Sequence, residues 1–573
     1  TFNVIGYPSV TSGSFGVSIG GTVTKLATTE DTFPVWSGAV RGTTSSVNYQ
    51  YVELDATGAA IKSENFTRAL HKPDATHSYN EFFQRQTTKY VLPHIPYTYL
   101  ATWPSNTKAF NDDEIATLHL TTDPTQLAQL HSDPMIPVQV RVNFRFISHD
   151  TVHSQKNITF QTSGKSSKAF KKQSYKVSFD TDYNQTFFGR PNIKLRAEAT
   201  DPTMIRERLY IDMLNAVGVP TQQGSYVRLF LNNEFYGLYL MVDDIKKSFI
   251  KQTVYGGDAT KALGSLLQMN APTVENSADL TYKGNNGSAY DPEVYAVQNL
   301  GANPPDAPLT QLIQFMADLQ AFDPISTPDP IAYWNNTRLD LDGFLRNMAM
   351  EYLAGAWDNY WFSGSNYFFY FNPTLGAKGK WQWLPTDFDG TFGDGFPTSV
   401  LSRYQAYYDF KIDHPLVSKL ILNNTQINGL FEQTLREIVG WSFKPEALHA
   451  RIMTYNQMIS DDVRWDYSLV RTGPGNTNNY TIEDFNANLD TIIKDMSYSL
   501  KGWITDMSTL VTTQLNFAVQ PGLADRVAPP PKPTKNSDKK GDKKGSGSRT
   551  SASLLGMTTL VVIASVFMTL LTF

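Results

Sequence analysis

The chain has 573 residues, 41% apolar and 13% aromatic, which is enough for two or three domains with substantial cores. Its 49 Lys and Arg against 54 Asp and Glu give a net charge of −5, so no broad basic surface is expected and nucleic acid is a poor candidate partner. The absence of cysteine removes disulfides, thiolate metal sites and cysteine nucleophiles from consideration.

Residues 1–95 alternate apolar and polar positions in short runs (FNVIGY, GVSIGGTVTKL, FPVWSGAV, VNYQYVEL) separated by Gly, Ser and Thr, the pattern of a small all-β sandwich. Its Trp36 and Tyr49–Tyr51 read as buried sandwich aromatics, with a sugar platform as the alternative. Residues 96–134 form a connecting segment. Residues 135–515 open with β-type runs and continue into a helix-rich half, an α+β arrangement without internal repeats.

Residues 516–553 form a Pro-, Lys-, Ser- and Gly-rich linker unable to build a core, and residues 554–573 are a charge-free apolar run. Small residues Gly545–Ser548, a polar spacer and this apolar end follow the order of a GPI-attachment signal, with a tail-anchored helix as the rival. Seven Asn-x-Ser/Thr sequons, at Asn65, Asn157, Asn184, Asn286, Asn335, Asn423 and Asn479, also favour the secretory route. The sequence opens at Thr1 without Met, as expected if a signal peptide has been removed. The expected location is the cell surface or wall, with membrane attachment through a GPI anchor.

Four segments carry candidate chemistry. SGKSSKAFKKQSYKVSF (163–179) combines a Gly/Ser turn whose backbone N–H groups could hold phosphate oxygens with lysines entering a strand; a solvated basic hairpin would look similar. Alternation puts Lys172, Ser174 and Lys176 on one face, with Tyr175, Val177 and Phe179 on the other. DPTMIRERLYIDMLNAVG (201–218) predicts a helix capped by Asp201 or Thr203 and stopped by Gly218, with Arg206 and Arg208 able to reach an anion. In the third segment, Asn232-Asn233 predicts a hairpin turn leading to a strand that ends on Asp243-Asp244.

The fourth segment is the most informative. A helical stretch runs into Trp357-Asp358-Asn359-Tyr360-Trp361, and a predicted hairpin then connects Asn366 to Asp387-Phe388-Asp389. Dense aromatics here predict an enclosed setting that excludes water and strengthens charge interactions. Two separated acids fit phosphoryl transfer, one taking the proton of the attacking group and the other holding Mg²⁺, for which Asp387, Asp389 and Asn366 supply hard oxygen ligands. An Asp-x-Asp of a metal-dependent glycosyltransferase and a pair of capped turn aspartates are the alternatives.

Over residues 135–500 these blocks, in their order, resemble the CotH kinase family: SGKSSKAFKKQSYKVSF, DPTMIRERL, LYLMVDDI, WDNYW, NYFFY and PTDFDGTFG. The resemblance implies an atypical protein-kinase-like domain using ATP with Mg²⁺ or Mn²⁺ and serine residues of surface or coat proteins as acceptors. By the same resemblance Asp358 is catalytic and Asp387 binds metal, joined by Asn366 and Asp389. Lys172, Gly164, Arg206 and Asp243 serve the nucleotide. Ser163 replaces the family's arginine and Asp243 its usual glutamate, departures that bear on nucleotide affinity. The layout is similar to that of the surface CotH proteins of mucoralean fungi, some of which bind host-cell receptors. Residues 362–379 read FSGSNYFFYFNPTLGAKG where those invasins carry their receptor-binding motif, so receptor binding is not implied. The expected function is a surface protein kinase that also accepts phosphate itself; the rivals are an inert adhesin or wall protein and a glycosyltransferase.

Overall fold

The computed structural model describes residues 1–41, 47–72, 75–97, 107–304, 306–396, 401–406 and 414–525. The apolar run at 554–573 and its linker lie outside these residues. Among the described residues no helix is long and apolar enough to cross a membrane.

The N-terminal alternation gives two small sheets. β1 (Phe2–Ile5) pairs with β4 (Val35–Gly38) and β8 (Asn80–Phe82). The other sheet holds β2 (Ser14–Ile19), β3 (Thr22–Lys25), β5 (Asn48–Leu54) and β6 (Ala60–Ser63), with β7 (Arg68–Ala69) on β5. Phe2, Val4, Phe15, Val17, Trp36, Tyr49 and Tyr51 interleave between them as one core, so these aromatics are structural. The Tyr49 and Tyr51 hydroxyls both donate to the buried Glu81 carboxylate at 2.8 Å, which satisfies polar atoms that the core would otherwise strand.

The next seven strands close a barrel: β9 (Ala116–Thr121), β10 (Gln139–Ile147), β11 (Val152–Ser163), β12 (Ser174–Ser178), β13 (Asn192–Arg196), β14 (Gly224–Leu231) and β15 (Glu234–Asp243). The barrel begins inside the stretch read as connecting segment, because ATLHLT pairs with β10 on one edge and, in parallel, with β14 on the other. Phe144, Phe160, Tyr175, Val177, Ile193, Leu195 and Met241 fill the interior. The alternation expected for β12 therefore holds, with Tyr175 and Val177 inside. Asn232 and Asn233 adopt positive φ of 48° and 72° in the β14–β15 turn, a conformation asparagine tolerates well.

A second sheet, in the order β17-β16-β18-β19, comprises β16 (Leu266–Met269), β17 (Tyr295–Asn299), β18 (Tyr367–Asn372) and β19 (Lys380–Pro385). The main helices are α1 (Pro124–Ser132), α2 (Arg206–Ala216), α3 (Ala307–Ala321), α4 (Leu341–Ala354), α5 (Thr425–Trp441), α6 (Pro445–Tyr467) and α7 (Leu500–Leu515). All but α1, whose Leu130 joins the barrel core, share one large apolar core with the inner face of the second sheet. The chain is thus mixed α and β with a β-rich N-terminal region, and Thr1–Val527 packs as one unit. The sandwich is fastened to both the barrel and the helices. Tyr7 stacks on Phe230 of β14 at 3.9 Å, and Arg85 pairs with Asp462 of α6 at 3.0 Å.

Candidate active site

Helix α4 delivers the first acid. Its N-cap Asp340 accepts from Gly343 N, and Gly355 ends it in the left-handed conformation, two residues before Trp357. Asp358 follows. Hairpin β18–β19 delivers the rest from a single end: Tyr367 pairs with Pro385, and Thr386 N donates to Asn366 O at 3.0 Å. Asn366 and Asp387 therefore leave the hairpin side by side. Tyr367 stacks on Trp383 at 4.0 Å and Phe369 on Trp381 at 4.6 Å, which makes this hairpin a stiff support.

The Asn366 amide donates to Asp358 Oδ2 at 2.8 Å and to Asp358 O at 2.9 Å. Asn359 Nδ2 in turn donates to Asn366 O at 3.2 Å and Thr386 O at 3.1 Å, locking the two segments together. Burial, and after it the negative charge of Asp387, pushes the Asp358 carboxyl up to about 6, against the Asn366 hydrogen bond. Asp358 and Asp387 thus share one electrostatic neighbourhood despite their separation along the chain. Asn366 and Asp387 both sit at positive φ, 56° and 65°, local strain of the kind that concentrates at functional sites.

The barrel faces this pair with cations. Arg196 Nη2 meets Asp387 Oδ1 at 2.5 Å and Asp389 Oδ2 at 3.3 Å, while its Nε donates to Glu207 Oε2 on α2 at 2.8 Å. Gln222 Nε2 donates to Glu207 Oε1 at 2.9 Å, and Thr386 Oγ1 donates to Gln222 Oε1 at 2.8 Å, which closes a ring of side chains back to the hairpin exit. Lys194, two residues before Arg196 and on the same face, pairs with Lys176 in strand register. Both reach Asp244, at 3.4 and 3.1 Å. Burial opposes the charge on Asp387, but Arg196 and then Lys194 outweigh it and hold its carboxyl below the usual range. Burial, with Asp387 alongside, pushes the Asp389 carboxyl well above that range.

Asp387 and Asp389 are 38% and 39% exposed and Trp357 is 38% exposed, so aromatics underlie these carboxylates rather than enclosing them. Gly164 stands at φ 98° after β11, and the charge of the following Lys165 favours ionised Asp358, so this turn lies within electrostatic reach of that carboxyl. Lys172 sits elsewhere. Its ammonium meets Asp466 Oδ2 of α6 at 3.0 Å and Leu238 O at 2.7 Å, and burial pulls its pKa down. Arg206 is fully buried; it donates to Asp201 at 2.5 Å, Asn488 at 2.8 Å and Tyr498 O at 3.2 Å. Asp243 is buried against Arg190 at 2.5 Å. The structure thus brings Asp358, Asn366, Asp387, Asp389 and the Gly164 turn together, whereas Lys172, Arg206 and Asp243 are held in ion pairs within the protein. Arg196, Lys194 and Glu207 were missed from sequence, although NIKLR alternates Lys194 and Arg196 on one strand face.

Among the described residues no three His, Asp or Glu side chains form a metal cluster. The donor set Asp387, Asp389 and Asn366 nevertheless fits a hard divalent cation. Two carboxylates converging on one guanidinium form a site in which a cation would relieve their repulsion.

Comparison with known proteins agrees with these blocks. Residues 160–497 match the CotH kinase protein family, and the chain belongs to this family. Invasin CotH2 of Rhizopus delemar is 29% identical over 91% of this chain and 94% of its own length. Invasin CotH3 of the same fungus is 30% identical, over 85% and 78%. Inner spore coat protein H of Bacillus subtilis is 23% identical over 62% of this chain and 90% of that protein.

Proposed function

We propose that this chain is a cell-surface protein kinase of atypical, kinase-like fold that moves a phosphoryl group from ATP to serine hydroxyls of surface or coat proteins, itself included. The observation that carries this reading is the meeting of two differently tuned acid groups at one hairpin end, beneath a lysine- and arginine-bearing sheet face. Asp358, oriented by Asn366 and held up to about 6, is suited to accept the proton of an attacking hydroxyl near neutral pH. Mg²⁺ or Mn²⁺ held by Asp387 and Asp389, with Asn366 adjoining, would supply charge neutralisation of phosphate oxygens. Lys165, Lys194 and Arg196 add fixed positive charge on the barrel side. The Arg196–Glu207 pair links a strand cation to a helix carboxylate, a coupling that positions phosphates in kinases.

The secretory route, the GPI anchor and the coat or wall as workplace rest on the sequons, the C-terminal pattern and relatives named as invasins and spore coat proteins. The deciding experiment incubates the purified chain with γ-labelled ATP and Mg²⁺ or Mn²⁺, alongside Asp358→Ala and Asp387→Ala. Transfer that both variants abolish is expected. Transfer that survives both overturns the assignment, and hydrolysis of a sugar nucleotide in place of ATP favours a glycosyltransferase.

A further inference from the structure

The segment carrying Asp358 is held from behind by a single residue of α4. Glu351 accepts from Ala356 N through its main-chain O at 2.9 Å and from Trp361 N through Oε2 at 2.8 Å, so it grips the chain two residues before Asp358 and three residues after it. Asn347, one turn earlier on α4, donates its amide to Glu351 Oε1 at 2.8 Å and fixes the carboxyl in place. Between the two grips the chain closes on itself. Asn359 N donates to Ala356 O at 3.3 Å, Ser363 N to Asn359 O at 2.9 Å and Ser363 Oγ to Trp357 O at 2.8 Å. Asp358 therefore stands on a short, tied loop whose inner anchor is the Glu351 carboxyl.

As a purely structural device this anchor is a poor choice. Glu351 is 1% exposed, and among the described residues no Lys, Arg or His pairs with it. Its titratable neighbours are Tyr210 of α2, Tyr360 and Tyr367, all held neutral by burial. Burial also pushes the Glu351 carboxyl up to about 8, which the hydrogen bonds from Trp361 N, Asn347 and Tyr360 N do not offset. A buried carboxyl without a cation destabilises a fold, and an apolar side chain of similar volume is often tolerated as well or better. Such a group directly behind the loop that presents Asp358 is explained by what it does for that loop.

We propose that Glu351 is a positioning residue for Asp358: by holding Trp361 N it keeps the Asp358 carboxyl on the Asn366 amide and in line for the acceptor hydroxyl, without itself touching nucleotide, metal or acceptor. The Asn366 contacts tolerate little displacement of the loop, because one amide nitrogen meets both Oδ2 and O of Asp358, at 2.8 and 2.9 Å. A misplacement of about 1 Å in a reacting group lowers a rate by as much as about 100-fold. The effect on transfer rests on the kinase reading; the hold on the loop does not.

Steady-state kinetics of ATP-dependent transfer and amide hydrogen exchange, both on the full chain, test it with Glu351→Met and Glu351→Gln. Methionine fills the volume but cannot accept from Trp361 N, whereas glutamine keeps an acceptor oxygen at the same reach. Glu351→Met is expected to fold and to lose about 10- to 100-fold in kcat, with the KM for ATP and the rise in melting temperature on adding Mg²⁺ unchanged. Its amides at residues 356–363 should exchange faster, and those of the barrel strands should not. Glu351→Gln should restore both kcat and slow exchange. If Glu351→Met does not fold, Glu351→Asp, whose carboxyl is one methylene short of Trp361 N, takes its place in the same two measurements. The proposal is overturned if the shortened or apolar variant keeps the full kcat, if its KM for ATP rises while kcat stays, or if Glu351→Gln is equally slow. Faster exchange at residues 356–363 in Glu351→Met, together with no transfer even by the unaltered chain, would uphold the hold on the loop and refute the kinase reading alone.

Discussion

The Arg196 guanidinium joins Glu207 to Asp387, with its Nε 2.8 Å from one carboxylate and its Nη2 2.5 Å from the other. Helix α2 and the Asp387 loop are therefore fixed to the barrel through one side chain. Glu207 is fully buried, so Arg196→Ala leaves a carboxylate without its cation, a loss of about 3 kcal/mol or more for a broken buried pair. Transfer should fall roughly 100-fold as well, the scale of one lost electrostatic stabiliser. Arg196→Lys should recover part of the stability but less of the rate, because one ammonium cannot span both carboxylates as a planar fork does. Melting temperature and single-turnover rate, measured on both variants, check this. A fully active, fully stable Arg196→Ala would contradict it.

Asp358 predicts a pH dependence in both activity and stability. As the proton acceptor it must be ionised, so the rate should rise with pH through about 6 and then level off. Asn366→Ala removes a hydrogen bond to the ionised form and should move that rise to higher pH. For stability the sign is opposite. A folded carboxyl held above the ordinary value near 4 binds its proton more tightly than the unfolded chain does, so its contribution is greatest at low pH and declines as pH rises through 6. Asp358→Asn should thus be relatively stabilised at pH 8 and lose this advantage below pH 4, as thermal melts across pH will show.

The Gly164 turn predicts a loop effect without a fold effect. A Cβ there would meet Ser167 Oγ at 1.9 Å, and φ is 98°. The serine can rotate away; the backbone conformation remains costly for alanine by about 1–2 kcal/mol. Gly164→Ala should raise the apparent KM for ATP about tenfold while the melting temperature changes little, since the turn is outside both cores. Unchanged nucleotide kinetics would detach this turn from the site.

How far the sequence revealed this arrangement depended on whether a residue's role is set by its own strand or helix. Alternation placed Tyr175 and Val177 inside and Lys176 outside, and the hairpin between Asn366 and Asp387 follows from aromatic runs flanking a Gly/Lys turn. Family order pointed to Asp358 and Asp387. What stayed hidden were partners distant along the chain. Lys172 and Lys194 look alike in the sequence, and only the three-dimensional placement of the acids decides that Asp466 takes the first while Asp244 takes the second. Strand β9 escaped notice because its six residues pair with strands on two sides, a relation that no local pattern records.

Arg206 illustrates the same limit and gives a stability prediction. All three guanidinium nitrogens donate within the protein, to Asp201, Asn488, Tyr498 O and, at 3.4 Å, Phe392 O. Its role in the fold is to tie the loop before α2 to the segment after Asp389 and to the C-terminal helices. Arg206→Ala leaves Asp201 buried and without its arginine, with an expected loss of about 3–5 kcal/mol. Arg206→Lys should fold but melt several degrees lower, and once folded should bind ATP as tightly as the unaltered chain. A weaker Kd for ATP in a stable Arg206→Lys would restore a nucleotide role for this residue.

Divalent cation binding is measurable without any turnover. Asp387 and Asp389 share Arg196, and a cation held by them would take over its role in neutralising both. A ligand that binds only the folded state at about 100 times its Kd adds about 2.7 kcal/mol, so Mg²⁺ or Mn²⁺ should raise the melting temperature in a saturable manner. Asp387→Ala should abolish that rise, and Asp389→Asn should weaken it, because an amide keeps one oxygen ligand but lacks the charge. Asp358→Asn should retain most of it, since Asp358 is assigned to the proton rather than to the metal. If Asp387→Ala keeps the full Mg²⁺-dependent rise, the cation binds elsewhere and these carboxylates serve only the Arg196 ring.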